Sequence, residues 1–160
     1  MKMQIPIHET ANFYIQAANR PYVDRAEGGQ LYLFPKVAVR DRTQLSPALA
    51  IEYIKLSMVA GEALVSGMAR RGVDIGLVNY QDMGNWSVFK PEGPSLHMHI
   101  YGRAKTATIQ RYGEAVQLPH RESGFYDDFK PLEAGDVAEI KADIDKLLRG
   151  AKYGRNWSET

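Results

Sequence analysis

The run from Ser46 to Gly72, SPALAIEYIKLSMVAGEALVSGMARRG, constrains this chain more than any other segment. Ser46 can cap a helix, and Pro47 lacks the N–H that a first turn would leave unpaired. Gly72 suits the position just past the end. Arg70 and Arg71 sit where the helix dipole favours positive charge. Ile51, Ile54, Met58, Val65 and Met68 follow a three-then-four spacing, with Gly61 in the gap, and this predicts the stripe that packs inward. A helix from about Pro47 to Arg71 with one apolar stripe needs a surface to lie on. The methionines in it read as core filler.

Strands supply that surface. NFYIQAA (12–18) reads as a strand, as does QLYLFPK (30–36), stopped by Pro35. DIGLVNY (74–80) is a third. MGNWSVF (83–89) reads as a turn followed by a strand, KPEGP (90–94) as a loop, and SLHMHIYGR (95–103) as a strand. TATIQRY (106–112) adds another, and the stretch from Leu118 to Pro131 reads as an ordered aromatic loop. A last helix is expected over Val137–Arg149. Asp136 and Glu139 stand at capping-box spacing, Gly150 is its stop, and Val137, Ile140, Ile144 and Leu147 form its stripe. Strands, one long helix, more strands and a C-terminal helix make an α+β fold with a mostly antiparallel sheet.

The 160 residues show no linker or repeat, so one domain spanning 1–160 is expected. A net charge of +1 argues against strong nucleic-acid binding. With no cysteine, disulfides, thiolate zinc sites and cysteine nucleophiles are excluded. The start, MKMQIPIHETANF, lacks the apolar core of a signal peptide, and no segment is apolar enough to span a membrane. The expected compartment is the cytoplasm.

Period-two alternation puts Ser95, His97, His99 and Tyr101 on one face of their strand and Leu96, Met98 and Ile100 on the other. The two imidazoles would stand roughly 7 Å apart along the strand. Three uses fit. They are half-exposed strand residues, or two ligands of a metal site completed by His8, His120 or a carboxylate, or a catalytic pair. In the last case a neutral imidazole attacks phosphorus, while the second ring donates to a phosphate oxygen or the leaving group. Gly84 and Asn85 could let backbone N–H groups approach a phosphate, and a tight turn explains them equally. Lys90, Arg103 and Lys105 could form a positive rim. Trp86 could stack on a base or join the core, and His120 could close over the pocket or sit in a surface loop.

The order QLYLFPK, long helix, LVNYQDMGNWS, SLHMHIYGR resembles the histidine triad (HIT) superfamily of nucleotide hydrolases and transferases, over roughly Phe13 to Arg103. The resemblance implies a HIT-like fold and cleavage of a nucleotidyl phosphoanhydride or phosphoramidate through a nucleotidyl-histidine. It gives His97 the role of nucleophile and His99 that of phosphate contact and aid to the leaving group. Ser95 stands where a first histidine would be, and Gln30 where many members carry another. The resemblance places Asn79 and Ser87 in the binding pocket, and Gly84, Asn85 and Arg103, singled out above for their own chemistry, complete the expected set. No metal and no cofactor is implied, and the partners are a nucleotide or nucleotide conjugate and a second copy in a homodimer. A non-catalytic nucleotide-binding or interaction protein on this fold is the alternative. A metal-dependent hydrolase using His97 and His99 is the third reading.

Overall fold

The computed structural model describes residues 6–157. Helix α1 runs Pro47–Arg70, with the Ser46 hydroxyl accepting from the Leu49 N–H. Beyond its end, Gly72 takes a positive φ of 82°, and the N–H groups of Gly72 and Val73 return to the carbonyls of Ala69 and Met68. That closing turn asks for glycine.

Five strands form one antiparallel sheet: β1 (His8–Glu9), β2 (Phe13–Ala17), β3 (Gln30–Pro35), β4 (Ile75–Asp82) and β5 (Met98–Ala104), in the order β1-β2-β3-β5-β4. Strand β5 thus lies between β3 and the edge strand β4. Its first three expected residues fall outside the ladder, because pairing begins only where Met98 meets Leu33 on one side and Asp82 on the other. The two-residue β1 is too short to leave a periodic signal.

One sheet face packs on α1. Phe13, Ile15, Leu31, Leu33, Leu96, Met98 and Ile100 are buried in one cluster with Tyr53, Leu56, Val59, Ala60, Ala63, Leu64 and Met68. Helix α1 therefore buries a different face from the one the spacing predicts. Of the expected stripe only Met68 is buried; Ile51, Met58 and Val65 are half-buried and Ile54 is 44% exposed. Small residues let the helix sit close, and the apolar flank beside them is left over.

Helix α2 (Ala134–Arg149) packs across α1 through Ile140 and Ile144, with Val137 and Leu147 partly buried beside them. Its first turn comes earlier than expected: Glu133 is the cap, and the Asp136 carboxylate accepts the Glu133 N–H at 2.8 Å. Two other expectations are corrected. Asn85–Ser87 is a 3-10 turn, and no strand follows it before β5. TATIQRY forms turns, because the buried Glu27 carboxylate takes the consecutive N–H groups of Thr108, Ile109 and Gln110 at 2.7 Å each, a curl of the backbone that no ladder allows.

Gly28 and Gly102 pin the start of β3 to β5. A Cβ on Gly28, whose φ is 130°, would lie 2.2 Å from the Gly102 carbonyl oxygen, and the Gly102 N–H bonds the Gly29 carbonyl at 3.0 Å. This contact sets Gln30 opposite Tyr101 and Tyr32 opposite His99.

Asp136 ties α2 to the rest. Fully buried, it accepts a bidentate pair from Arg25 at 2.7 Å and a third bond from Arg71 at 2.9 Å. Burial alone would raise its pKa, but the Arg25, Glu133 N–H and Arg71 hydrogen bonds override it and hold the carboxyl at about 2 against an ordinary 3.8. A depressed folded pKa gives stability that is complete above the unfolded value and is lost as pH falls through the folded one. Asp136→Asn is therefore expected to cost roughly 3–5 kcal/mol at neutral pH. In urea unfolding, the difference from wild type should narrow between pH 5 and pH 2, and a constant difference would count against the account.

Candidate active site

The sheet face away from α1 carries the site. Period two in β3 turns Gln30, Tyr32 and Phe34 to it, and in β5 His99, Tyr101 and Arg103. His97 precedes β5 on the same face. A cavity of about 670 Å³ opens over these rows. Tyr22, Tyr32, Phe34, Trp86 and Leu118 form its walls, with His97 and His99 on its floor and Met83, Gly84, Asn85 and Ser87 along one side. A smaller cavity of about 220 Å³ adjoins His97 and Ser95 on the other side, between Arg40, Arg42 and Asp82.

Hydrogen bonds fix both imidazoles. The Tyr22 backbone N–H can only donate, and it lies 2.6 Å from Gln30 Oε1. The other end of that amide, Nε2, therefore donates to His99 Nδ1 at 3.1 Å. With Nδ1 accepting, neutral His99 carries its proton on Nε2, 2.9 Å from His97 Nε2. His97 Nδ1 faces the Ser95 carbonyl oxygen at 2.9 Å, so it is the protonated nitrogen there. The His97 Nε2 lone pair is thus held at the cavity floor. Gln30 is 1% and His99 4% exposed, so neither can exchange these partners for water. Burial, then His97, then Arg121 lower the His99 pKa to about 3.

The rings are also packed. Phe34 stacks on His97 with centroids 5.4 Å apart, and Tyr32 meets His99 edge-on at 4.8 Å. Trp86 approaches Tyr22 at 5.9 Å and His120 at 5.0 Å, so the 3-10 turn and the loop at 118–121 meet over the cavity. Arg121 lies 4.0 Å over the Tyr22 ring and donates to the Arg20 carbonyl at 2.7 Å. Lys90 and Arg121 are the charged residues lining this cavity, with no carboxylate among the lining residues. Such a site favours an anion carrying a flat ring.

Several expected residues come together here: His97, His99, Ser87, Gly84 and Asn85 all line the cavity. Ser95 acts through its carbonyl, while its exposed side chain lies on the smaller cavity. Asn79 and Arg103 do not reach it. Arg103 is 2% exposed, bonded to Asn79 Oδ1 at 2.7 Å and to the carbonyls of Gln110, Arg111 and Glu114. It clamps the 106–114 turns. Lys105 pairs with Asp74 instead of forming a rim. His8 pairs with Asp145, and among the described residues no three His, Asp or Glu side chains gather to hold a metal. Tyr22, Tyr32, Phe34, Leu118 and Arg121 were not expected. The alternation in QLYLF could have revealed two of them; Arg121 left no signal.

No family model and no curated protein matches this sequence. Solved structures do. A hypothetical histidine triad nucleotide-binding protein from Sulfolobus tokodaii matches with a TM-score of 0.60 at 13% identity, over 97% of this chain and 92% of that one. A Hit-like protein involved in cell-cycle regulation from Bartonella henselae gives 0.56 at 11% identity, over 88% and 87%. A Zn-bound histidine triad family protein from Mycobacterium smegmatis gives 0.55 at 19%, over 91% and 86%. The likeness therefore extends past Arg103 into the C-terminal region.

The tautomer assignment is directly measurable. His99 is expected to stay neutral, with its proton on Nε2, from pH 8 down to about pH 4 in long-range ¹H–¹⁵N correlation spectra, given its pKa of about 3. Because the unfolded chain binds this proton near pH 6.5, His99 also makes the fold less stable as pH drops below that value. A midpoint for His99 near 6.5 would contradict the assignment.

Proposed function

We propose that this chain, which has the histidine triad fold, is a nucleotide hydrolase or transferase working through a nucleotidyl-histidine on His97. The carrying observation is the directed lone pair: His97 Nε2 is held unprotonated at the floor of a cavity with aromatic walls and two cations. A nucleotide offers the complement, a base for the Tyr22, Trp86 and Phe34 walls and a phosphate for Lys90 and Arg121. The nucleotide-binding description of the Sulfolobus tokodaii protein supports the same ligand class.

The reaction forms and breaks one bond at phosphorus twice. His97 Nε2 attacks the phosphorus and the leaving group departs with its electron pair. Water then displaces the histidine. The Ser95 carbonyl keeps the Nδ1 proton throughout and stabilises the positive charge of the ring. His99 Nε2–H, released from His97 once that lone pair is used, turns to a phosphoryl oxygen. Charge stabilisation of this kind carries much of the catalysis in phosphoryl chemistry. Dinucleoside polyphosphates and nucleoside phosphoramidates are the substrate classes to try, with no cofactor.

His97→Ala should abolish both turnover and covalent labelling by a radiolabelled adenylyl substrate. His99→Ala should slow single turnover on the order of 10²–10³-fold. Ser95→Ala should change little, since the carbonyl remains. Near-normal rates in His97→Ala would refute the nucleophile, and saturation binding without turnover in wild type would favour a binding protein.

A homodimer belongs to this reading. Among the described residues strand β4 is a free sheet edge, carrying exposed Leu77 (51%) and Tyr80 (43%). Tyr80 rests over Gly61, on the flank of α1 where Ile54 is left uncovered. Sedimentation velocity should give a dimer that Leu77→Asp weakens at least about tenfold; a wild-type monomer at a concentration on the order of 10⁻⁴ M would oppose it.

A further inference from the structure

Hydrogen-bond directions at His99 limit what this histidine can give away. Its one proton is on Nε2, the nitrogen facing the reaction. Its Nδ1 faces the N–H of Gln30, which cannot reverse: a flipped amide would set its NH₂ against the Tyr22 N–H and leave that buried donor unsatisfied. If His99 surrendered its Nε2 proton, no proton could enter at Nδ1, and the ring would be left as an imidazolate in a buried pocket. His99 can donate a hydrogen bond to a phosphoryl oxygen, but it cannot hand over the proton.

Neighbouring groups do not take its place. The Tyr32 hydroxyl is pushed up to about 12 by burial and then by Tyr22, which makes it a weak acid. The Ser87 hydroxyl is a weaker acid still, Arg121 acts as a charge, and the Lys90 ammonium, on the cavity wall, makes no hydrogen bond to either imidazole among the described residues. Burial also keeps His99 from becoming an imidazolium with a second proton to spend.

We propose that this site selects its substrate by leaving group: it breaks phosphorus–oxygen bonds whose oxygen departs as a stable anion, and it discriminates against phosphorus–nitrogen bonds, with Gln30 as the positioning residue that sets this limit. The inference rests on His97 as nucleophile. In the favoured reaction the His97 Nε2 pair bonds phosphorus, the P–O bond breaks, and its electron pair leaves on a phosphate, pyrophosphate or acidic phenolate. No proton moves in this step. Water then attacks phosphorus, the P–N bond to His97 breaks with its pair returning to Nε2, and one proton passes to solvent. An amine, in contrast, must be protonated as it leaves, and His99, the donor aimed at the reacting centre, cannot do this. Nucleotidyl anhydrides, such as dinucleoside polyphosphates, are the substrate class this selects.

The test is a set of adenylyl substrates with leaving groups of graded basicity: diadenosine polyphosphate, aryl esters, anilidates and alkyl phosphoramidates. In wild type, single-turnover rates should fall steeply with leaving-group basicity, and phosphoramidates should lag acidic aryl esters by at least about 10²-fold, the usual worth of a missing general acid. Gln30→Glu still satisfies the Tyr22 N–H but demands a proton on His99 Nδ1. It should narrow that gap at least about tenfold, chiefly by raising the phosphoramidate rate at acidic pH. Equal wild-type rates on esters and phosphoramidates would overturn the proposal even though a nucleotidyl-His97 forms. Absence of that adduct with every substrate would instead remove the nucleophile itself. A folded Gln30→Glu with the wild-type gap would overturn the role of Gln30. The wild-type series decides the selectivity should the variant not fold.

Discussion

The hydrogen bond from Gln30 to His99 is the contact on which the site depends. It joins neighbouring strands β3 and β5, and it has its direction only because the Tyr22 N–H holds the far end of the amide. Everything upstream serves that register. Gly28 and Gly102 let the two backbones approach, the antiparallel ladder then places Tyr32 against His99, and Phe34 falls beside His97. A larger residue at Gly28 would meet only the backbone of Gly102 and Arg103 and so would move the start of β3, whereas one at Gly102 would press on the Gly28 backbone and on core Ile75 together.

Elements distant in sequence close the site, and buried charges hold them. Glu27 captures the 108–110 backbone, Arg103 captures the carbonyls that follow, and Asp136 gathers Arg25 and Arg71. Glu27 and Asp136 have their oxygens met by backbone N–H groups or by arginines, the condition under which burial is tolerated, while Arg103 spends its terminal nitrogens on Asn79 and three carbonyls and leaves its Nε without a partner. Their effect is to seat the loop bearing Leu118, His120 and Arg121 over the sheet. Arg121 then rests on Tyr22, the residue that anchors Gln30. Cation and hydrogen-bond chain are thereby parts of one assembly.

What the sequence revealed follows the range of the forces involved. Caps, breakers and alternation act within a few residues, so α1, β2, β3, β4 and the histidine face could be read directly. The buried face of α1 could not. Its core side is built from Ala60, Ala63 and Gly67 alongside Leu56 and Leu64, small residues that a hydrophobic stripe undervalues, while Ile51 and Ile54 mark a flank. TATIQRY has the β-branched residues of a strand, but Glu27, some 80 positions away, takes its N–H groups. Arg103 reads as part of a positive rim with Lys90 and Lys105; its burial depends on carbonyls beyond the strand. Arg121 needs the whole fold to bring it home. The resemblance placed His97 and His99 in the site, but not the direction of the bond between them.

The two positions where the resemblance implies further histidines, Ser95 and Gln30, carry different duties. At position 95 the duty that the structure shows is performed by the backbone carbonyl, which orients His97 whatever side chain stands there. The substitution at position 30 is different in kind. An imidazole there could donate from one nitrogen and accept at the other in either of its two tautomers, so a chain of rings could reverse its proton direction. An amide pinned by a backbone N–H has one arrangement. With Gln30 where a ring could stand, the chain of hydrogen bonds runs one way, ending with the His99 proton directed at His97 Nε2. Such a chain keeps the lone pair in place and forgoes proton transfer, which suits the reaction proposed for His97, in which a phosphoryl centre moves and protons are left to solvent.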